Sequence, residues 1–322
     1  MRKAMLGVAM ALMAALVSAT ASAQTYPDHK IRMIVPFAAG GPTDVIGRLV
    51  ADRLSSTLGQ QVYVEDLPGA GGNLGVETGK RAAPDGYTIL MVSTGFIINP
   101  SMYTKISYDP VKDFAPISLV AASPNVVVVH PSLPANNLKE LIDLIKANPG
   151  KYSYAQPSTG STPHLAAELM KQTYGLDLTM VPFNGAAPAI NSTLGNHTPI
   201  AFTALPPAIG AIQQGNLRGA AILAKQRIVT LPNLATNGEE GVPGLDSDTL
   251  TGIVAPAGTP QPIIDKWHAA IAQMVADPAM KRKLDTLGFV GVGSSPAEFA
   301  ARIKSEAVRW DKVIKAAGIH MD

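Results

Sequence analysis

The chain has 322 residues, with 26 basic and 24 acidic side chains, six histidines and no cysteine. The lack of cysteine excludes disulfide frameworks and thiolate metal sites, and the near balance of charge argues against nucleic-acid binding. A length of about 300 residues normally corresponds to two domains.

The first 23 residues have the pattern of a cleaved signal peptide. Arg2 and Lys3 precede an apolar run from Ala4 to Val17, and Ala21-Ser22-Ala23 supplies the small residues of a cleavage site. Because this run is shorter than the roughly 20 residues that span a bilayer, we expect secretion rather than anchoring. The mature chain then carries 24 basic and 24 acidic residues and is expected to function outside the cytoplasm.

Strands and helices alternate at the start of the mature chain. The segments KIRMIVPF (30–37), QVYVED (61–66) and YTILMVST (87–94) are apolar runs typical of buried strands. Between them, residues 43–58 place apolar side chains on one helical face, and a shorter helix ends at Arg81. This order favours a parallel sheet with helices on both of its faces.

A long apolar segment, APISLVAASPNVVVVHP (115–131), contains Pro124 near its middle. It is too long for one ordinary strand, so we predict that the chain passes here from one lobe into another. A second segment, TLTGIVAPAGTP (249–260), mirrors it and is predicted to bring the chain back. Clefts between lobes are favoured ligand sites. The predicted lobes are residues 24–123 with 252–322, and residues 124–251.

The alternation begins again between the two crossings. A helix is marked by apolar residues from Leu138 to Ile145, and a second helix is predicted from Pro163 to Tyr174. Two further helices, with Trp267 and Trp310 facing inward, close the chain. The predicted strands of this part are KYSYAQ (151–156), LTMVPF (178–183), PIAFTALPP (199–207) and LRGAAIL (217–223). The pattern predicts an α/β protein with two lobes and two crossover strands.

The turn VPFAAGGPTD (35–44) has the composition of an anion-binding helix start. Pro42 suits the first helical position, which makes Gly41 the N-cap and leaves neighbouring amides without intrahelical acceptors. Such amides and the helix dipole attract anions. Asp44, at the third helical position, is predicted to accept a hydrogen bond from the Gly41 amide, or else to receive a ligand's ammonium group.

A second turn, QPSTGSTPH (156–164), has the same pattern of an anion-binding helix start, with Thr162 as the predicted N-cap and Pro163 at the first helical position. Both turns follow the carboxyl end of a strand, where open α/β sheets bind ligands. We therefore predict that the two turns face each other across the cleft and hold a carboxylate through backbone donors. The alternative is that both are ordinary helix starts. His164 would touch the ligand or lie on the surface near the helix end.

Other chemistry has less support. LPGAGGNLG (67–75) lacks the G-x-G-x-x-G spacing of a dinucleotide site, and the six scattered histidines form no H-E-x-x-H pattern. No cofactor and no metal are predicted. No G-x-S-x-G elbow is present, although a hydrolase that uses Ser161 with His164 is an alternative.

Eight motifs occur along the chain in this order: YPDHKIRMIVPFAAGGPTD, LPGAGGNLG, PDGYTIL, NPSMYTKISYDPVKDFAPI, KANPGKYSYAQPSTGSTPHLAAEL, VPFNGAAPAI, LPNLATNGEEGVPG and GIVAPAGTP. Together they resemble the extracytoplasmic solute-binding proteins of tripartite tricarboxylate transporters, the Bug receptors. This resemblance implies a type II-like Venus flytrap, without catalytic activity, that captures a small carboxylate in the periplasm and delivers it to a membrane permease. A sensory receptor is the alternative. We expect a monomer.

The resemblance also implies a set of ligand-binding residues at the two turns and at neighbouring strand ends. In the first lobe these are Phe37, Ala38, Ala39, Gly40, Gly41, Thr43, Asp44, Gly71, Gly72, Ser93 and Thr94. In the second lobe they are Ser158, Thr159, Gly160, Ser161, His164, Phe183, Asn184, Gly185, Thr203 and Ala204.

The chain departs from the family pattern at three places. It has Asp66-Leu67 where many relatives have Asn-Arg, Phe183 where tyrosine is frequent, and residues 196–208 where an aspartate is common. These changes make the far side of the pocket more apolar. We therefore expect a mono- or dicarboxylate with an apolar or aromatic body rather than a free amino acid.

Overall fold

The computed structural model describes residues 26–39 and 42–321. The predicted signal peptide, and the Gly40 and Gly41 of the first turn, lie outside the described residues. Within that part of the chain, no helix is long and apolar enough to cross a membrane. The same residues contain no cluster of three or more histidine or acidic side chains that could hold a metal ion.

The first part of the chain alternates strands with helices, as the apolar pattern predicts. Its elements are β1 (Ile31–Val35), α1 (Pro42–Leu58), β2 (Val62–Asp66), α2 (Asn73–Lys80), β3 (Thr88–Ser93), α3 (Thr94–Met102) and the long strand β4 (Phe114–Val129). Helix α3 is not predicted, because Ile97 and Ile98 in their apolar context read as strand-like and Pro100 interrupts the helical pattern.

The middle part contains α4 (Leu138–Lys146), β5 (Ser153–Gln156), α5 (Thr162–Tyr174), β6 (Thr179–Pro182), α6 (Ala186–Leu194), β7 (Ile200–Ala204), α7 (Ile209–Gln213) and β8 (Arg218–Leu223). The last part contains β9 (Asp248–Pro256), α8 (Gln261–Ala276), α9 (Pro278–Thr286), β10 (Val290–Gly291) and α10 (Pro296–Ala317). Helices α6, α7 and α9 are additions to the predicted set.

The strands form two groups that share β4. In the first group the order is β2-β1-β3-β9-β4, with β10 also paired to β4. In the second group β4 lies between β7 and β8, and β5 and β6 follow β7. The pairs β1-β2, β1-β3, β5-β6 and β5-β7 are parallel, whereas β9 is antiparallel to both β3 and β4. The expected parallel sheet is therefore part of a mixed one.

Strand β4 corrects one prediction from the sequence. Its 16 residues form one continuous strand, so the inference that residues 115–131 are too long for a single strand is wrong. The strand changes partners at its middle, where Pro124 is in register with β9 and Asn125 is in register with β7 and β8. Proline has no N–H to donate to a ladder, and a change of partners is a place where that loss is tolerated.

Helices cover both faces of each group. In the first group, Ile46 and Leu54 of α1 and Trp267 of α8 pack on one face, and Phe96 of α3 and Trp310 of α10 pack on the other. In the second group, α4 and α5 cover one face and α6 the other. Both tryptophans are fully buried, as the helical periodicity predicts.

Candidate functional site

The carboxyl ends of the central strands point toward the change of partners in β4. Strand β3 is antiparallel to β9, which is antiparallel to β4, so β3 runs toward Pro124. Strand β7 is antiparallel to the second half of β4 and parallel to β5, so both run toward Asn125 from the other side. The turns that follow these strands therefore meet at one junction, which is where open sheets bind ligands.

The first turn lies beside the glycine-rich segment that precedes α2. Helix α1 begins at Pro42, as predicted, and Ala38 and Ala39 are exposed. Phe37 is half-buried, and a Cβ atom on Gly72 would lie 3.3 Å from its Cζ atom. The ring thus occupies the space that the missing side chain leaves.

The carboxylate of Asp44 is buried and paired within its own helix. Its Oδ1 lies 2.7 Å from Nε of Arg48, and a second guanidinium nitrogen of Arg48 lies 2.5 Å from Oδ2 of Asp66. Burial, together with the nearby charge of Asp44, raises the pKa of Asp66. One exposed arginine therefore offsets two carboxylates. The predicted bond from the Gly41 amide to Asp44 lies outside the described residues.

The carbonyl of Gly71 accepts a hydrogen bond from Asn99, a residue that is not among the predicted site residues. The side-chain amide of Asn99 donates to the Gly71 carbonyl (3.1 Å) and to Oδ1 of Asn73 (2.7 Å). Gly71 has a φ of 64°, and a Cβ atom there would lie 2.5 Å from the hydroxyl of Tyr103. Asn99 lies within α3, so recognition of that helix from the sequence would have placed it after the end of β3, whereas Tyr103 follows the helix with an extended backbone and is positioned only by the folded chain.

Ser93 and Thr94 are buried at the end of β3, and the hydroxyl of Thr94 accepts a hydrogen bond from the Leu250 amide (3.0 Å). The neighbouring residue of β9, Thr249, shares a 2.6 Å hydroxyl contact with Thr162 at the start of α5. Consecutive residues of β9 therefore bind the starts of α3 and α5, which belong to different groups of strands. This places the two helix starts at the same junction.

The second turn differs from its prediction by one residue. Ser161 is the N-cap, with φ −71° and ψ 160°, and Thr162 is the first helical residue, so the prediction of Thr162 as the cap is wrong. The reason is the contact with Thr249, which engages the Thr162 hydroxyl. The hydroxyl oxygen of Ser161 is shielded from solvent and has no hydrogen-bond partner in the described part of the chain.

His164 is buried, with 3% of its surface exposed, so the alternative of a surface histidine is wrong. Its Nδ1 accepts a hydrogen bond from the Gly160 amide (3.0 Å), and burial lowers its pKa. The Ser161 amide donates to the Ser158 carbonyl (3.1 Å). Among the described residues, the amides of Ser158 and Thr159 have no acceptor, which makes them the donors that this turn can offer a ligand.

The remaining predicted residues of the second lobe lie in the segment 183–185 and at the end of β7. The amides of Phe183 and Gly185 donate to carbonyls at the end of β5 and just after it (3.0 and 2.7 Å), so the segment 183–185 lies against the second turn. Asn184 is exposed and Phe183 is half-buried. Thr203 has no exposed surface, and its hydroxyl oxygen has no hydrogen-bond partner among the described residues, whereas Ala204 is half-buried.

A cavity of about 760 Å³ also lies beside the junction, lined by Pro124 and by charged residues of α10 and the start of β9. Three of its charged residues are paired with one another, since Arg302 bonds both Asp248 and Glu306 at 2.8 Å. Burial raises the pKa of Asp248, and the charge of Arg302 opposes that rise. We assign this cluster a structural role.

Comparison with known proteins identifies close relatives over nearly the whole chain. The model of the TctC family, described as "Tripartite tricarboxylate transporter family receptor", matches residues 46–319. Protein BugT of Bordetella pertussis is 34% identical over 304 residues, which cover 94% of this chain and 93% of that protein.

Two solved structures with bound acids are also similar. The structure "R. palustris Rpa4515 with adipate" has 31% identity and a TM-score of 0.80, and the match covers 92% of this chain and 99% of that one. MatC from Rhodopseudomonas palustris with bound malate has 29% identity and a TM-score of 0.75 over 90% of this chain and 100% of that one. Structural neighbours of this kind are two-lobed periplasmic solute-binding proteins, which confirms the predicted two-lobed α/β fold.

Proposed function

The chain belongs to the family of tripartite tricarboxylate transporter receptors, and from this premise we propose that it captures a small carboxylate between its lobes and delivers it to the permease of such a transporter. Membership confirms the resemblance that the sequence motifs indicated. Members are substrate-binding receptors, which confirms the prediction that the protein is not an enzyme.

One observation carries the choice of site: the starts of α3 and α5, from different groups of strands, bind consecutive residues of β9. A ligand at this junction contacts both lobes at once. The uncommitted amides of Ser158 and Thr159 are suited to a carboxylate, because backbone N–H groups near a helix start complement negative charge. The relatives with bound adipate and malate support the same ligand class.

The surroundings of these donors favour a ligand with an apolar body. Phe37 and Phe183 are half-buried next to the first and second turn, respectively, and can pack against methylene groups or a ring. The negative charge of Asp44 is already balanced by Arg48. We therefore propose a mono- or dicarboxylate, bound by lobe 1 (residues 24–123 and 252–322) and lobe 2 (residues 124–251).

Transport requires that the closed form binds the ligand better than the open form. Donors from only one lobe would bind both forms equally, whereas donors from both lobes are brought together only on closure. The closed shape is then what the permease recognises. We propose that the protein acts as a monomer in the periplasm, after removal of residues 1–23.

Both the geometry around Ser161 and the family of the chain argue against the alternative of a hydrolase. A serine nucleophile needs a base that can accept its proton. The Nδ1 atom of His164 already accepts the Gly160 amide, and among the described residues the Ser161 hydroxyl has no hydrogen-bond partner that could act as a base. The carboxylate should therefore be recovered unchanged after incubation with the protein.

Isothermal titration against a panel of carboxylates, beginning with adipate and malate, tests the proposal. Bound ligand should stabilise the protein by RT ln(1 + [L]/Kd), about 2.7 kcal/mol at a hundredfold excess over Kd. Absence of any stabilising acid from the whole panel would contradict the proposed function.

The site itself is tested by Gly40→Val, which replaces a predicted binding residue of the first turn with one that has a branched side chain. We expect binding to weaken far more than folding, with Gly210→Val as the control at an exposed glycine whose missing side chain has no neighbour within 4 Å and whose backbone is not left-handed. Unchanged affinity in Gly40→Val would show that the ligand binds elsewhere.

A further inference from the structure

His164 is a buried residue of α5 that bonds the turn in front of it. The Gly160 amide donates to its Nδ1 over 3.0 Å. An acceptor must carry a lone pair, so Nδ1 is unprotonated and the neutral ring bears its proton on Nε2. The bond therefore exists for only one protonation state of the ring.

The carboxylate of Glu168 lies on the Nε2 side of the His164 ring and already has two hydrogen-bond donors. Oε1 of Glu168 lies 4.0 Å from Nε2, beyond hydrogen-bond distance. The same oxygen accepts from the Tyr154 hydroxyl (2.9 Å) and from the Lys171 ammonium (2.8 Å). Lys171 thus offsets much of the attraction that Glu168 would exert on a protonated ring.

Gly160 has little freedom to adjust if the ring changes. Its φ is 75°, and a Cβ atom at this position would lie 2.6 Å from Sδ of Met102 and 3.2 Å from Sδ of Met321. Met102 ends α3, and Met321 donates its amide to the Met102 carbonyl (3.0 Å). The turn is therefore confined between His164 on one side and two methionines on the other.

We propose that His164 is a positioning residue for the carboxylate: by accepting the Gly160 amide it holds the turn so that the amides of Ser158 and Thr159 face the ligand, and its protonation releases the turn and weakens binding. This inference rests on the proposed function of the same site. An imidazolium donates from both nitrogens, so the Gly160 N–H would then face another N–H. The two donors repel, and the turn must change its conformation.

The pH range of this effect follows from the surroundings of the ring. Burial lowers the pKa of His164 below its ordinary value of 6.5, Glu168 opposes that shift and Lys171 adds to it. The groups that face the ring are Glu168 and Lys171 on α5, with Tyr154 on β5 acting through Glu168. His164 is thus neutral at neutral pH, and binding should weaken only as the pH falls below about 6.5.

The experiment compares two substitutions at His164 by titration with adipate between pH 4.5 and 8, a range that extends well below the ordinary pKa of an imidazole because burial lowers the pKa of His164. His164→Asn keeps an acceptor oxygen near the position of Nδ1 but does not titrate in this range. His164→Leu has a similar size and no acceptor. Protonation of adipate itself changes the measured dissociation constants of all variants by the same factor. The ratio of the wild-type and His164→Asn dissociation constants therefore reports only the effect of protonating the His164 ring.

At pH 7.5 we expect His164→Asn to bind within about threefold of wild type and His164→Leu to bind about tenfold more weakly, because the Gly160 amide is then left without an acceptor. Below about pH 6.5 the wild-type dissociation constant should rise relative to that of His164→Asn. Thermal unfolding at each pH verifies that all variants remain folded. If His164→Leu does not fold, the pH ratio of the other two proteins still tests the proposal.

Two results would overturn the inference while leaving carboxylate binding intact: wild-type affinity in His164→Leu, or a constant ratio of wild type to His164→Asn across the pH range. If wild type binds neither adipate nor any other acid of the panel, the proposed function fails and the inference fails with it. The two failures are therefore distinguished by the wild-type titration at pH 7.5.

Discussion

Replacing Gly160 with alanine should destabilise the protein more than the same replacement at Gly175. Both glycines have left-handed backbones, with φ of 75° and 64°. Alanine in this region costs about 1–2 kcal/mol at either position. The added Cβ at Gly160 would lie 2.6 and 2.9 Å from two atoms of Met102, whereas the Cβ at Gly175 has no neighbour within 4 Å.

The difference between the two variants measures the contact across the junction. The Sδ and Cε atoms of Met102 are the end of a flexible side chain, so moving them is a mild form of overpacking that costs about 1 kcal/mol, the low end of the usual range. We expect a loss of about 1–2 kcal/mol for Gly175→Ala and about 2–3 kcal/mol for Gly160→Ala, from urea unfolding followed by circular dichroism. In a Met102→Ala background, the excess at Gly160 should largely disappear.

Equal losses for Gly160→Ala and Gly175→Ala would refute this reasoning. They would show that the second turn does not lie against the end of α3 in solution. An excess at Gly160 that persists in the Met102→Ala background would place the obstacle at Met321 instead, the other methionine near this position.

Two further substitutions test the polar contacts of the site. Arg48→Met removes the cation shared by Asp44 and Asp66, so it should lower the unfolding temperature at pH 7.5 and lower it less at pH 5. The sign follows from linkage: a carboxyl whose folded pKa is raised costs stability above its unfolded pKa, and that cost fades as the pH falls. Thr162→Val and Thr249→Val should be non-additive by about 0.5–1.5 kcal/mol in a double-mutant cycle, because each leaves the other hydroxyl without its partner.

Each of these tests has a matched comparison. Arg53 lies on the same helix as Arg48 but pairs with one acid, Asp277, so Arg53→Met should cause a smaller change that is similar at both pH values. The same pH trend in Arg53→Met would mean that the shared cation of Asp44 and Asp66 is not its cause. Additive threonine substitutions would show that the contact between the start of α5 and β9 contributes no stability.

Much of the architecture follows from local patterns in the sequence. Helical spacing of apolar residues predicts the buried faces of α1, α8 and α10, because the side chains of residues three and four apart share one face of a helix. Pro42 predicts the start of α1, and the family resemblance predicts a solute-binding receptor. The identity of the ligand-binding residues stays a prediction.

The details of the site required contacts between residues that are distant in the sequence. Ser161 rather than Thr162 caps α5 because the Thr162 hydroxyl binds Thr249, and β4 continues through Pro124 because its partners change there. His164 is buried and bonded to Gly160, which removes one of the predicted donors of the turn. Periodicity and capping rules depend on near neighbours along the chain. The partner of a hydroxyl, an amide or an imidazole depends instead on which strands and helices the folded chain brings together.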